Sequence, residues 1–316
     1  MDIKIIIAAN FIAGTACIIY GVNLMSKGLE KANAQRIKKC LRTLTRNLPL
    51  ATVTGVTLTA LVQSSTAVTV VTVGLVNSGL LNLTRAVGII YGANIGTTIT
   101  AQLMSFKLPY AGYIITAFGL FIVFVSKKSA SKNMGWAATG LGLMFVGLNI
   151  LNSGIPLIKE NQAALEFFKS YGQNPLVGLI LGIVTTMLVH SSSATVGLTI
   201  ILFNSGLISF ESALGLTFGD NIGTCITAQL ASIGTNISAK RTAWAHTLYN
   251  IIGVVIALIF FAPLSRLIQE ITFFLGQDKT RLVANAHTVF NILSAIVFLP
   301  LTKYYVKFIE GVIKDK

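Results

Sequence analysis

Charge is what this sequence has least of. Only 11% of its 316 residues are Asp, Glu, Lys or Arg, while 53% are hydrophobic and the mean hydropathy is +0.76. A soluble domain carries roughly 25% charged residues, so an ordinary water-soluble globule is excluded. Acidic residues number ten and histidines three, in no metal-ligand spacing. Neither a resident metal nor a nucleophile with its base and orienter can be assembled from them, so the chain is not expected to be an enzyme and no cofactor is expected. The three cysteines, Cys17, Cys40 and Cys225, are an odd and scattered set, which excludes a disulfide framework. The net charge of +14 sits in short clusters between apolar runs. It therefore reports membrane orientation, and no nucleic-acid partner is expected.

Apolar runs are what the chain has in abundance. Segments near 3–25, 84–105, 109–126, 134–158, 210–232, 244–264 and 283–302 each approach the roughly 20 residues a membrane-crossing helix needs. The fold class expected is an all-α polytopic membrane protein whose partner is the lipid bilayer. The first run, Ile3 to Met25, lacks a small-residue cleavage signature and reads as a retained helix. Residues 48–80 and 175–207 do not fit, because each is about 33 residues long with a polar Ser cluster at its middle. Their arms are too short to span. A re-entrant helical hairpin that turns at the Ser cluster solves the problem, its tip buried in protein or facing a water-filled cavity. Pro49 and Pro175 suit the start of the first arm, and Asn77-Ser78-Gly79 and Asn204-Ser205-Gly206 suit the close of the second.

The polar phrase is stated twice. Gln63-Ser64-Ser65-Thr66-Ala67 is answered 127 residues later by His190-Ser191-Ser192-Ser193-Ala194, and Gly92-Ala93-Asn94-Ile95-Gly96-Thr97 by Gly219-Asp220-Asn221-Ile222-Gly223-Thr224. Of the 41 positions in 63–103, 21 are identical to their partners in 190–230. This is an internal duplication. Placing 27–47 in the cytoplasm puts 17 of the 24 Lys and Arg on that side, as the positive-inside rule asks. The two hairpins then enter from opposite faces, so the repeats are expected to be inverted, and Gly21-Val22-Asn23 with Gly28 recurs as Gly147-Leu148-Asn149 with Gly154. The expected units are residues 1–126 (hairpin 48–80, broken helix 84–105), residues 134–264 (hairpin 175–207, broken helix 210–232), and a C-terminal 265–316 with an amphipathic segment and the last transmembrane helix. Inverted repeats with broken helices signal a secondary transporter whose site lies at the midplane between them. Such a chain belongs in the cell membrane, here with a cytoplasmic C-terminus.

The paired Ser-rich hairpin tips, the Asn-Ile-Gly-Thr phrase after each, and the two phrases Ala243-Trp-Ala-His246-Thr-Leu-Tyr249-Asn250 and Ala284-Asn-Ala-His287-Thr-Val-Phe290-Asn291 resemble the type II sodium/phosphate cotransporter family, particularly its short bacterial members. The resemblance covers nearly the whole chain. It implies sodium-driven import of inorganic phosphate, with sodium as the coupling ion. Two departures from the family pattern are expected: His190 stands where the second tip carries Gln, and a phosphate-regulator-like domain after the membrane part is not expected.

The residues give the chemistry its own rationale. Hydroxyls of Ser64, Ser65, Thr66, Ser191, Ser192 and Ser193 can donate to a phosphate oxygen or offer a lone pair to a cation. Each cluster also opens a helix, whose free N–H groups and dipole favour an anion. Phosphate is therefore expected between the tips, held by Gln63, Ser64, Ser65 and Thr66 on one and His190, Ser191, Ser192 and Ser193 on the other. Gly92, Gly96, Gly219 and Gly223 are expected to interrupt their helices and free carbonyls for sodium, one ion near Ser64, Asn94 and Thr97 and another near Ser191, Asp220, Asn221 and Thr224. A lone Ser-Ser-Ser would be packing or back-bonding by default. Two copies at hairpin centres argue for a site. Asp220, an acid at membrane depth, marks an ion path by default. His246 and His287 lack carboxylate or Cys neighbours in sequence and are expected to hydrogen-bond between helices. Lys27 to Arg46 reads as an amphipathic surface helix. A same-fold carrier of another small solute, or a proton-coupled one, stays open through His190 and Asp220.

Overall fold

The computed structural model describes residues 3–106, 108 and 110–314, and among these there is helix and no strand. The helices are α1 (Ile3–Thr43), α2 (Leu48–Val62), α3 (Ser65–Asn77), α4 (Leu83–Met104), α5 (Ala111–Val125), α6 (Ser129–Glu160), α7 (Gln162–Tyr171), α8 (Pro175–Val189), α9 (Ser192–Asn204), α10 (Phe210–Gly223), α11 (Ile226–Ala231), α12 (Ile237–Ile259), α13 (Phe261–Phe274) and α14 (Leu282–Val312), the last preceded by a 3-10 turn at Lys279–Arg281. The chain ends expected in the first and last units, and Pro109 at the start of the third span, lie outside the described residues.

Among the described residues, four helices are long and apolar enough to cross a membrane: α1, α6, α12 and the 3-10 turn with α14. The other expected spans differ for physical reasons. Helix α4 has 22 residues, enough to cross, but polar side chains from Asn94 to Gln102 dilute its apolar character. Helix α5 is 15 residues, and the 210–232 segment is split into α10 and α11. Both helix–turn–helix units fall where the Ser clusters predict them, as α2–α3 and α8–α9. Asn47 and Asn174 cap their first arms with Pro49 and Pro175 in the first turn, and Gly79 (φ +72°) and Gly206 (φ +76°) close the second arms.

Three expectations are corrected. The 84–105 helix is unbroken, because Gly92 and Gly96 are notches for α2: a Cβ on Gly92 would collide with the Thr52 carbonyl oxygen, and one on Gly96 would lie 2.7 Å from that of Val56. Gly219 is likewise seated against Leu179 of α8, and only Gly223 stands at a real break, where α10 ends and Thr224 and Cys225 lead into α11. The 27–46 stretch is no separate surface helix. It continues α1 without interruption as far as Thr43, burying Ile37 and Leu41 against Leu58, Val62 and Val68 of the first helix pair. Finally, the 244–264 span is displaced: α12 starts seven residues earlier and stops at Ile259, and the amphipathic α13 follows.

Helices α1 and α6 interlock through glycines. A Cβ on Gly14 would lie 3.0 Å from the Gly147 oxygen and one on Gly147 2.7 Å from the Gly14 oxygen, and Gly21 and Gly140 meet in the same reciprocal way. Residue numbers rise along α1 as they fall along α6, so the pair is antiparallel. Such backbone approach replaces the hydrophobic drive that lipid cannot supply. At the two ends of the molecule, Asn77 bonds Asn236 (2.8 Å) and Arg241 bonds the Ile313 carbonyl (2.9 Å), while Arg281 bonds Gln102 (2.8 Å) and Ser209 N–H donates to the Gly172 carbonyl (3.0 Å).

Candidate functional site: the cavity between two polar turns

Both turns are built identically. Gln63 (φ 57°, ψ 33°) and His190 (φ 52°, ψ 29°) are the only non-glycine residues with positive φ among those described, each ending a helix in the left-handed region. That conformation costs about 1–2 kcal/mol for a side chain with a Cβ, and strain of this kind gathers at functional sites. The next residue starts a new helix: Ser64 Oγ accepts from Ala67 N–H at 3.1 Å and Ser191 Oγ from Ala194 N–H at 3.3 Å. The N-terminal ends of α3 and α9 therefore aim their partial positive charge at the turns.

The turns line one cavity of about 300 Å³, which brings together every residue expected to hold phosphate, Gln63 to Thr66 and His190 to Ser193. Thr97 and Thr100 of α4 complete one wall, and α1 supplies another with Asn23, Ser26, Lys27 and Glu30. The first turn is tethered on both sides. Ser26 donates to the Gln63 carbonyl at 2.7 Å, and Thr100 donates to Gln63 Oε1 at 2.8 Å. His190 is exposed and has no such tether among the described residues.

The residues expected to hold sodium divide into two groups. Ser64, Thr97 and Ser191 line the cavity; Asn94, Asp220, Asn221 and Thr224 do not. Asn94 lies inside the unbroken α4 and donates to Asn250 Oδ1 of α12 at 2.7 Å, so its backbone frees no carbonyl. Asn221 is also helical and donates to Thr217 O at 2.8 Å. Thr224 caps α10 at the break. Asp220 is 1% exposed and has a polar shell of its own: Thr186 donates to Oδ1 at 2.9 Å, Thr195 Oγ1 lies 2.8 Å from Thr186 Oγ1, and His287 Nε2 stands 3.9 Å from Oδ2, which accepts no hydrogen bond among the described residues. In the first repeat the same three positions are Thr59, Val68 and Ala93, and the Thr59 hydroxyl is buried without a hydrogen-bond partner among the described residues.

The histidines correct another expectation. Neither ring nitrogen of His246 finds a hydrogen-bond partner among the described residues, and His287 faces Asp220 instead of bridging helices by a hydrogen bond. The interhelical bond belongs to the asparagine of that phrase, Asn250. Several residues of the site escape sequence reasoning. Thr186 and Thr100 carried a signal, since each has a Thr at its counterpart (Thr59 and Thr227). Ser26, Lys27 and Glu30 carried none, being polar residues just beyond an apolar run. Gln102 also escaped: it bonds Arg281, Asn285 and Thr288 at one end of α4, and its counterpart Gln229 bonds Thr247.

The chain matches the family model described as Na+/Pi-cotransporter over residues 17–153 and 159–277. It is 30% identical over 309 residues to "Uncharacterized protein YqeW" of Bacillus subtilis, covering 96% of this chain and 99% of that one. It is 28% identical over 307 residues to the Salmonella typhimurium protein named "Putative inorganic phosphate export protein YjbB", covering 97% of this chain but only 56% of that longer protein. A shorter stretch of 119 residues, 35% of this chain and 17% of the relative, is 33% identical to human "Sodium-dependent phosphate transport protein 2B". No solved structure matches. The chain is a membrane protein and belongs to the Na+/Pi-cotransporter family.

Proposed function

We propose that this chain is a secondary transporter that imports inorganic phosphate with sodium by alternating access, binding phosphate in the cavity between the two polar turns. The observation that carries the reading is the convergence of two helix N-termini and their hydroxyls on one 300 Å³ cavity. Two dipole ends, the free N–H groups of the first turns and six hydroxyls provide donors for several phosphate oxygens at once. Sodium is held in the first half by Ser64 and Thr97 beside Gln63, and in the second by Asp220 with Thr186 and Thr195, near Asn221 and Thr224. A hard cation suits these oxygens. Helical Asn94 contributes only by bracing α4 against α12.

The layout we propose is two inverted units, 1–126 and 134–264, followed by 265–316, in the cell membrane with the C-terminus in the cytoplasm and both hairpins re-entrant. The glycine contacts support it. Gly14 meets Gly147 and Gly21 meets Gly140, and these are each other's counterparts at an offset of 126, which is the reciprocal pattern a pseudo-two-fold axis generates. End contacts agree as well: Asn77 with Asn236 and Arg241 with Ile313 join segments assigned to the cytoplasm, and Gln102 with Arg281 joins segments assigned outside.

A second reading reverses the direction. It rests on the printed name of the Salmonella relative, whose length this chain covers only in part. Phosphate counterflow in vesicles under imposed sodium gradients separates the two: inward sodium should drive accumulation, and sodium-independent release would favour export.

A further inference from the structure

The cavity between the turns has a third wall, and that wall carries the charge. Asn23, Ser26, Lys27 and Glu30 form one face of α1 at helical spacing, and the Ser26 bond to the Gln63 carbonyl holds that face at the level of the first turn. Lys27 and Glu30 are the two formally charged side chains lining the cavity. Neither forms an ion pair among the described residues. Lys27 is exposed and opens onto this cavity, where its ammonium is available to an anion. The polar remainder of the lining is hydroxyls, the Gln63 and Asn23 amides, N–H groups and the His190 imidazole. The counterparts of Lys27 and Glu30 in the second repeat are Ser153 and Pro156, which puts the charge on one side of the cavity only. A recess of about 40 Å³ continues that face past Glu30 to Lys38, toward the basic half of α1.

We propose that Lys27 is the counter-charge for phosphate in this cavity, and that Glu30, one turn further along α1, is the like-charged neighbour that limits how tightly the anion is held. The i, i+3 spacing puts the carboxylate on the same face of α1 as the ammonium, so it repels the anion that the ammonium attracts. Opposed charges of this kind favour capture without trapping the anion. This rests on phosphate occupying the cavity between the turns.

The test is equilibrium binding of radiolabelled phosphate to the purified full chain in detergent with sodium present, alongside thermal unfolding of each variant. Lys27→Gln should weaken binding about tenfold, as loss of one charge several ångströms away in a wet cavity does. Lys27→Arg should stay within roughly threefold of wild type, and Glu30→Gln should tighten binding by roughly threefold or more. Adding choline chloride should narrow the gap between wild type and Lys27→Gln, since screening acts on charge alone. Wild-type affinity in a folded Lys27→Gln protein would overturn the assignment. If that variant does not fold, Glu30→Gln decides, and unchanged or weakened binding there overturns it equally. Failure of the wild-type chain to bind phosphate at all would instead overturn the underlying reading, and this inference with it.

Discussion

Replacing Asp220 by alanine installs the first repeat's residue, Ala93, in the second repeat, and the consequence can be worked from the structure. The carboxylate is 1% exposed, accepts from Thr186 at 2.9 Å and stands 3.9 Å from His287 Nε2, with Oδ2 buried and accepting no hydrogen bond among the described residues. A unit charge acting on a cation about 4 Å away at an effective dielectric near 20 contributes roughly 4 kcal/mol. The cost of keeping a carboxylate buried offsets much of this, leaving roughly 1.4–2.8 kcal/mol, a ten- to hundredfold difference in cation affinity. Asp220→Ala should therefore raise the sodium concentration for half-maximal phosphate uptake by that factor, measured as initial rates in proteoliposomes over a sodium series. Asp220→Asn separates charge from shape, because its amide oxygen can still accept from Thr186. It should lose sodium affinity as the alanine variant does while melting within a few degrees of wild type. Unchanged sodium dependence in both folded variants would refute the reasoning, and the acid would then be a structural partner of Thr186 and His287.

Other changes test the turns, the packing and the layout. Ser64→Ala and Ser191→Ala each remove a helix cap, about 1 kcal/mol, and a hydroxyl from the cavity; both should fold and lose most phosphate transport, and wild-type rates in both would move the site elsewhere. Gly92→Ala drives a Cβ into the Thr52 carbonyl oxygen and should destabilise the protein by roughly 1–3 kcal/mol, whereas Gly74→Ala, which meets nothing within 4 Å, should not; thermal unfolding in detergent compares them. Single cysteines at Asn47 and Asn174, the caps of α2 and α8, should react with impermeant thiol reagents from the cytoplasm and from outside respectively. Labelling of both from one side would contradict the inverted layout.

The parts of this fold legible in the sequence were those set by local grammar. An Asn cap, a proline in the first turn, a Ser-rich middle and an Asn-Ser-Gly close specify two helices and the bend between them, and α2–α3 and α8–α9 obey. The repeat at 127 residues also located both turns, because two copies of a polar phrase in apolar sequence have few other uses. Glycine was where this reading failed. Gly92 and Gly223 look alike in sequence and both seat a crossing helix, yet α4 runs on past Gly92 while α10 ends at Gly223. Helix α1 failed for a related reason: its charged half resembles a surface helix until its packing beside α2 and α3 is known. Tertiary neighbours likewise gave Asp220 its shell, since Thr186 lies 34 residues and His287 67 residues from it in sequence.

Sodium-coupled phosphate transport through the cavity between the turns is tested most directly by radiolabelled phosphate uptake into proteoliposomes holding the full chain. Inward gradients of sodium, potassium or protons are compared side by side, with Ser64→Ala/Ser191→Ala as the control. Accumulation above equilibrium is expected only with the sodium gradient and only in the wild-type protein. Accumulation driven equally by potassium or by protons alone, or uptake that survives loss of both serines in a folded protein, would contradict it.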